Sequence, residues 1–185
     1  MSQILLVEPA GRYLPSYINA CGEYKRRGIT LHSMHDVDAV DTWKGTIFDS
    51  YEKARRGEGL PEGWVPATTY WLVQGDEFLG MGNIRHRLTP ALLRFGGHIG
   101  YAVAAQHWNK GYGTLLLKLL LEKAADLGLE KVLLTCDDAN IGSYRVMEKN
   151  GGRLFDVGYA FGMDALRLGR RYWIDTPLAL TKNAQ

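Results

Sequence analysis

The sequence predicts an α/β (α+β) fold: a mixed, mostly antiparallel sheet with helices on both faces. Three observations predict it. The run "HIGYAVAA…KVLLTC" encloses a leucine-rich helix, and a strand–helix–strand unit of that kind closes by a right-handed crossover into a parallel pair. "TTYWLVQ" and "EFLGMGNIRHRL" are β-rich runs joined by Gly75-Asp76, the composition of an antiparallel hairpin. "RLFDVGYAF" and "LGRRYWIDT" add two more strands at the end of the chain.

The elements follow in order. "ILLVEP" is a short strand stopped by Pro9. "YLPSYINACGEYKRRG" is a helix with Pro15 in its first turn and Gly28 as its stop. "DTWKGTIFDSYEKARRGEG" is expected as one helix, with Asp41 as cap and Trp43, Ile47, Phe48 and Tyr51 on one stripe. "EGLPEGWVPA" is a loop by its glycines and prolines. After the hairpin, "TPALLRFGG" is a connector or short helix. In the helix from about Gly111 to Leu127, Lys118, Glu122 and Asp126 form one polar stripe on a cylinder otherwise set for burial. "KVLLTC" has the continuous apolar character of an interior strand flanked on both sides. "NIGSYRVMEKNGG" is a shorter helix, capped by Asn140 and ended by Gly151.

Composition narrows the function classes. With 185 residues, 46% apolar and 23% charged, the chain has the size and balance of one globular domain. A net charge of +2 gives no basic face of the sort that nucleic acid demands. Cys21 and Cys136 lie far apart without metal-type spacing, so no metal is expected, and reduced thiols fit a cytoplasmic protein. No segment is apolar for the ~18 residues of a membrane span. The N-terminal "MSQILLVEPAGRY" lacks the pattern of a signal peptide. The exposed strands near the C-terminus leave a homodimer open.

Two glycines, Gly111 and Gly113, stand at the mouth of the most apolar helix, although glycine is a poor helix residue. A helix N-terminus leaves N–H groups without intrahelical partners and carries partial positive charge. A strand, a glycine turn and a helix therefore make an anion site, with Lys110 and Thr114 adding donors. Missing Cβ atoms at 111 and 113 let an anion approach, and a pyrophosphate suits the site. The nucleotide-triphosphate loop is absent. Leu116 fills the last place of the dinucleotide pattern Gly-x-Gly-x-x-Gly. A bare structural turn also accounts for Gly-Tyr-Gly.

The stretch "VAAQHWNKGYGT" (103–114) resembles the pyrophosphate-binding signature of the GCN5-related N-acetyltransferases, the GNAT superfamily: Arg/Gln-x-x-Gly-x-Gly/Ala at a helix start. "TCDDANIGSYRVMEKNGG" (135–152) resembles the family's next motif, an Asn followed by a helix ending in Glu-Lys-x-Gly. The motifs come in the family's order, and the whole chain is similar to a bacterial branch of predicted acetyltransferases. The resemblance implies one GNAT domain over residues 1–185 with a cofactor-binding core at about 97–152. It implies a central parallel pair splayed at the cofactor site. It also implies acetyl-CoA as co-substrate and direct transfer, in a ternary complex, to a primary amine of a small molecule or protein.

By the same resemblance, Tyr101, Ala102 and Val103 pair with the pantetheine arm. Trp108, Asn109, Lys110, Gly111, Tyr112, Gly113 and Thr114 wrap the pyrophosphate, and Asn140 and Ser143 are further cofactor contacts. Two positions depart from the pattern. Trp108 replaces the Arg/Gln, with Gln106 or Asn109 as substitutes. Met147 replaces the Tyr that protonates the leaving thiolate, and Tyr144 is the substitute donor. An amine must also lose a proton. His98, His86 or a carboxylate acting through water could accept it, each having an ordinary structural reading as well. Cys136 reads as a small buried hydrophobe rather than an acetyl carrier. Asp36, Asp38, Asp41, Glu58 and Glu62 could attract a cation, and Arg167, Arg170 and Arg171 an anion; solvated surface is the alternative for both. If the pocket holds no acceptor chemistry, a CoA-binding regulatory module is the second expectation, and Met147 favours it.

Overall fold

A computed structural model describes residues 2–29, 34–161 and 166–182, with the side chains of 160, 161, 166, 167 and 182 left aside. The elements run β1 (Ile4–Val7), α1 (Leu14–Arg26), α2 (Val40–Trp43), α3 (Ile47–Arg56), β2 (Ala67–Gln74) and β3 (Glu77–Arg85). They continue with α4 (Pro90–Arg94), β4 (Ile99–Val103), α5 (Tyr112–Asp126), β5 (Lys131–Asp137) and α6 (Ile141–Lys149). β6 (Arg153–Phe161), β7 (Leu166–Asp175) and α7 (Pro177–Lys182) complete the described chain.

The strands form two antiparallel sheets, β1-β2-β3-β4 and β5-β7-β6. One mixed sheet is expected from the sequence and two antiparallel sheets are found; among the described residues no ladder joins β4 to β5, so the expected parallel pair does not extend into a sheet. The two strands meet at His98, whose N–H donates to Leu133 C=O at 2.7 Å. β5 is accordingly an edge strand of its own ladder, yet Val132, Leu133 and Leu134 are buried.

Helices do cover both faces, and alternation along β2 and β3 explains how. Trp71, Val73, Phe78 and Met81 face Tyr13, Tyr17 and Ala20 on the α1 side. Tyr70, Leu72, Leu79 and Ile84 face Leu116, Leu117 and Leu120 of α5. Leu79 is skipped in the pairing of β2 with β3, a bulge that sits where Val73 meets Phe78. Leu116, Leu117 and Leu120 are fully buried, and each contributes on the order of 2 kcal/mol. Lys118, Glu122 and Asp126 are all exposed, as their spacing predicts.

Local chemistry sets most boundaries. Gly75 (φ 58°) turns the β2–β3 hairpin, and Thr89 caps α4 by accepting from Leu92 N–H at 3.3 Å. The single helix expected from Asp41 onward is broken at Lys44–Thr46 into α2 and α3. Asp41 lies inside α2, whose start at Ala39 has no side-chain cap; Asp36 caps the 3-10 turn Val37–Ala39 that precedes it, accepting from Asp38 N–H at 3.0 Å. α7 has no counterpart in the sequence expectations. It is seated by the buried Thr176, whose hydroxyl donates to Leu129 C=O at 2.6 Å.

Close helix–sheet packing requires Gly82. A Cβ there would stand 2.2 Å from Leu120 Cδ1, and Leu120 has nowhere to move. Gly82→Ala should cost about 1–3 kcal/mol by overpacking, read as a lower denaturation midpoint with unchanged slope.

Candidate functional site

The predicted site residues converge on the end of β4 and the start of α5. β4 pairs with β3 from Ile99↔Ile84 to Val103↔Gly80. Arg85 N–H donates to His98 C=O at 2.8 Å, and Ala104 N–H to Leu79 C=O at 2.9 Å. These two bonds set the parity of the ladder: the peptide groups of residues 100 and 102 face β3, and those of 99, 101 and 103 turn away. The outer edge of β4 thus offers the N–H and C=O of Tyr101 and the N–H of Val103. Ala102, 8% exposed, turns its own N–H to β3.

The Val103 carbonyl is already engaged. It accepts from the Trp108 indole N–H at 2.7 Å and from the Tyr24 hydroxyl. Trp108 lies edge-on to Tyr24, with Arg27 over its ring at 5.8 Å, and Arg27 Nη1 donates to Ala105 C=O at 3.2 Å. The last turn of α1 therefore clasps the connection between β4 and α5. Sequence reasoning missed Tyr24 and Arg27, because nothing in their spacing points to residues about 80 positions away.

Two residues of positive φ, Asn109 (61°) and Gly111 (84°), turn the chain into α5. Gly111 occupies the N-cap, so the first turn has no side-chain cap. The first intrahelical acceptor is Gly111 C=O, which takes the Leu115 N–H at 3.2 Å. The N–H groups of Tyr112, Gly113 and Thr114 are the orphan donors of the helix end. The two glycines have different roles. A Cβ on Gly111 would meet nothing within 4 Å, so its need is conformational and the space beside it is open. A Cβ on Gly113 would stand 3.2 Å from Val146 Cγ2, so its need is packing against α6. Packing against α6 thus adds a second reason for glycine at 113, beside the expected one of leaving room for an anion. Lys110 is exposed beside the turn, and Tyr112 packs edge-on to His107.

α6 closes the other side. Asn140 caps it, accepting from Ser143 N–H at 3.1 Å. The Tyr101 hydroxyl donates to Ser143 C=O at 3.1 Å and shares a hydrogen bond with Ser143 Oγ at 3.1 Å, which bridges β4 to α6. Burial pushes the Tyr101 hydroxyl well above its ordinary range. Tyr144 is half-buried in the first turn, with the Arg170 guanidinium 4.4 Å from its ring centre. Met147 is 1% exposed within the core. Cys136 is buried and its thiol is pushed up to about 11, which keeps it protonated and unreactive.

His98 has a different setting from the one a base needs. It is 7% exposed, and its Nδ1 accepts the Leu133 N–H at 2.9 Å. That bond occupies the ring's only lone pair and fixes the proton of the neutral ring on Nε2. Burial, with Arg85 nearby, lowers its pKa to about 4. Most of the other candidates are likewise engaged. His86 Nε2 meets Thr68 Oγ1 at 2.8 Å. Asp38 pairs with Lys25, Asp41 with Lys44, and Glu58 with Arg56 at 3.6 Å. Arg170 holds Asp138 at 2.7 Å and Arg171 holds Asp156. The side chain of Arg167 lies outside those described. Among the described residues no group of three or more His, Cys, Asp or Glu is placed to hold a metal, and no helix is long and apolar enough to cross a membrane.

A strand with one free edge thus leads through a glycine turn into an uncapped helix start. Residues 26–153 match the acetyltransferase (GNAT) domain, and the chain belongs to that family. It is similar to the uncharacterized N-acetyltransferase YnaD of Bacillus subtilis (strain 168), 38% identical over 63 residues. That match spans 32% of this chain and 37% of the relative's length. Mycobacterium smegmatis RimJ, solved in complex with CoA-disulfide, shares the fold with a TM-score of 0.69 at 20% identity, over 93% of this chain and 81% of that one. The microcin C7 self-immunity acetyltransferase MccE, solved with acetyl-CoA and AMP, does so with a TM-score of 0.64 at 16% identity, over 94% and 92%.

The His98 setting has a measurable consequence. Its folded pKa of about 4 lies below the ordinary 6.5, so the unfolded chain binds the proton more readily. The stabilisation is complete above pH 6.5 and is lost as pH falls toward 4, to the extent of about 3 kcal/mol. Urea denaturation at pH 7 and pH 4.5 should show this loss in the wild type and a smaller one in His98→Asn.

Proposed function

We propose that this protein is an N-acetyltransferase. It moves an acetyl group from acetyl-CoA to a primary amine of a small molecule or protein, by direct attack within a ternary complex. The observation that carries this is the juxtaposition of two unsatisfied backbone arrays: the N–H groups of 112–114 at the start of α5, and the outward N–H and C=O of Tyr101 with the N–H of Val103. The first array suits a pyrophosphate and the second suits the amides of a pantetheine arm. Open space beside Gly111 supports the fit.

In this proposal residues 97–152 are the cofactor core, and β4 and β5 act as a parallel pair splayed around the arm. Asn109, Lys110, Gly111, Tyr112, Gly113 and Thr114 surround the pyrophosphate. Trp108 shapes the entrance beside Val103, and Asn140 and Ser143 line the α6 side. The amine nitrogen attacks the thioester carbon, the carbon–sulfur bond breaks, and CoA leaves as a thiolate. The enzyme's main task is to hold the two reactants in line. The Val103 N–H, which the ladder leaves free, polarises the thioester carbonyl. Tyr144 gives its phenolic proton to the thiolate in place of Met147. The amine's proton passes to water.

A second reading, a CoA-binding regulatory module with little turnover, is favoured by Met147, which has no proton to give and is sealed in the core. An acceptor screen that follows thiol release separates the two.

Acetyl-CoA at about a hundred times its Kd should stabilise the protein by about 2.7 kcal/mol and raise its Tm. Gly111→Asp, which sets a carboxylate against the α5 amides, should abolish that response; a wild-type shift in this variant refutes the anion site. Tyr144→Phe should lower turnover about a hundredfold while acetyl-CoA binding holds. Unchanged turnover would remove Tyr144 as the acid.

A further inference from the structure

The junction of the two sheets is built around His98. In a parallel ladder, one residue bonds to two residues of its neighbour that lie two apart. Leu133 makes the first of these bonds, its C=O accepting from His98 N–H at 2.7 Å. Its own N–H would then go to the Gly96 carbonyl. That carbonyl instead accepts from Arg85 Nη1 at 3.0 Å, as does Gly97 C=O at 3.1 Å. The Leu133 N–H turns to the imidazole of His98, 2.9 Å away. The next rung would use the His98 carbonyl, and Arg85 N–H already holds it at 2.8 Å. The ladder therefore stops after a single rung.

The surrounding residues brace this arrangement. Gly97 sits at φ 60°, and a Cβ there would lie 2.3 Å from the Leu133 oxygen. Only glycine lets the strands come this close. Gly96 N–H donates to Thr135 Oγ1 at 2.8 Å, which adds a second tie to β5. Trp173 packs edge-on to the His98 ring at 6.2 Å. Further along, β4 is tied across the gap to α6 by the Tyr101 hydroxyl on Ser143. The outward peptides of 101 and 103 lie beyond the His98 vertex.

We infer that His98 is a positioning residue: by taking the Leu133 N–H onto its ring, it fixes the vertex from which β4 and β5 part, and so sets the width of the slot for the acyl-CoA arm. The inference rests on the acetyl-CoA reading above. A side chain without an acceptor would leave a buried N–H unpaired. The strands would then zip toward the Gly96 carbonyl or shift, and in either case the slot changes.

Two variants test it. His98→Leu removes the acceptor, and His98→Asn places an amide oxygen at the position of Nδ1. Three quantities are measured on each: hydrogen exchange at the Leu133 amide, acetyl-CoA affinity by calorimetry, and Tm. His98→Leu should speed Leu133 exchange and weaken acetyl-CoA binding about tenfold. His98→Asn should bring both back to within about threefold of wild type. Acetyl-CoA affinity in His98→Leu equal to wild type, with fast Leu133 exchange, would mean that the latch does not set the slot. An Asn variant as impaired as the Leu variant would mean that the acceptor is not what matters. Failure of the wild type to bind acetyl-CoA would strike the functional reading itself, whereas Leu133 exchange reports the latch in either case.

Discussion

A β-strand carries hydrogen-bonding groups on two edges, and the rest of this molecule depends on β4 satisfying only one of them within its own sheet. Its even-numbered peptides are committed to β3, and its odd-numbered peptides face the gap toward β5. A buried peptide edge without a partner is costly, so an edge of this kind persists where a ligand or solvent completes it. The leucine face of α5 packs against the same sheet and delivers that helix's uncapped N-terminus to the end of the gap. A free peptide edge and an uncapped helix start are thereby brought together at one end of the gap by ordinary core packing.

The connection between β4 and α5 is mechanically joined to the α1 side of the sheet. Tyr24 and Arg27 reach from α1 to the carbonyls of Val103 and Ala105, and Trp108 lies between them. Trp108 replaces an Arg or Gln at a position that in the family motif would wrap a pyrophosphate. Here its indole N–H spends its one donor on the strand. Gly111 and Gly113 look equivalent in the sequence. One answers to a backbone conformation and the other to the proximity of Val146.

Residues near in sequence were read well. The hairpin at Gly75-Asp76, the Asn140 cap, the polar stripe of α5 and the Gly151 stop each rest on a few neighbouring side chains, and each stands in the structure. The misreadings involve competition over distance. The helix expected from Asp41 onward breaks at Lys44–Thr46, where Thr46 instead makes a hydroxyl bond to Trp43 C=O at 3.3 Å. α7 depends on Thr176 finding the carbonyls of Leu129 and Glu130, nearly fifty residues earlier. The sequence leaves His98 open between a base and a histidine with a satisfied hydrogen bond, and the structure shows that bond. Its partner, Leu133, is a backbone group, and sequence carries no mark of which backbone groups will be left over.

The sequence by itself determined the order of the strands, the β2–β3 hairpin and the glycine turn opening a buried helix. Periodicity, caps and turns are local, and local sterics decide them. Only the tertiary structure decided that β4 and β5 would touch at one rung and then separate. It also decided which glycine faces open space, and that an imidazole would stand in for a missing carbonyl. Those outcomes turn on which of several competing acceptors reaches each donor first, and that is settled by packing in three dimensions.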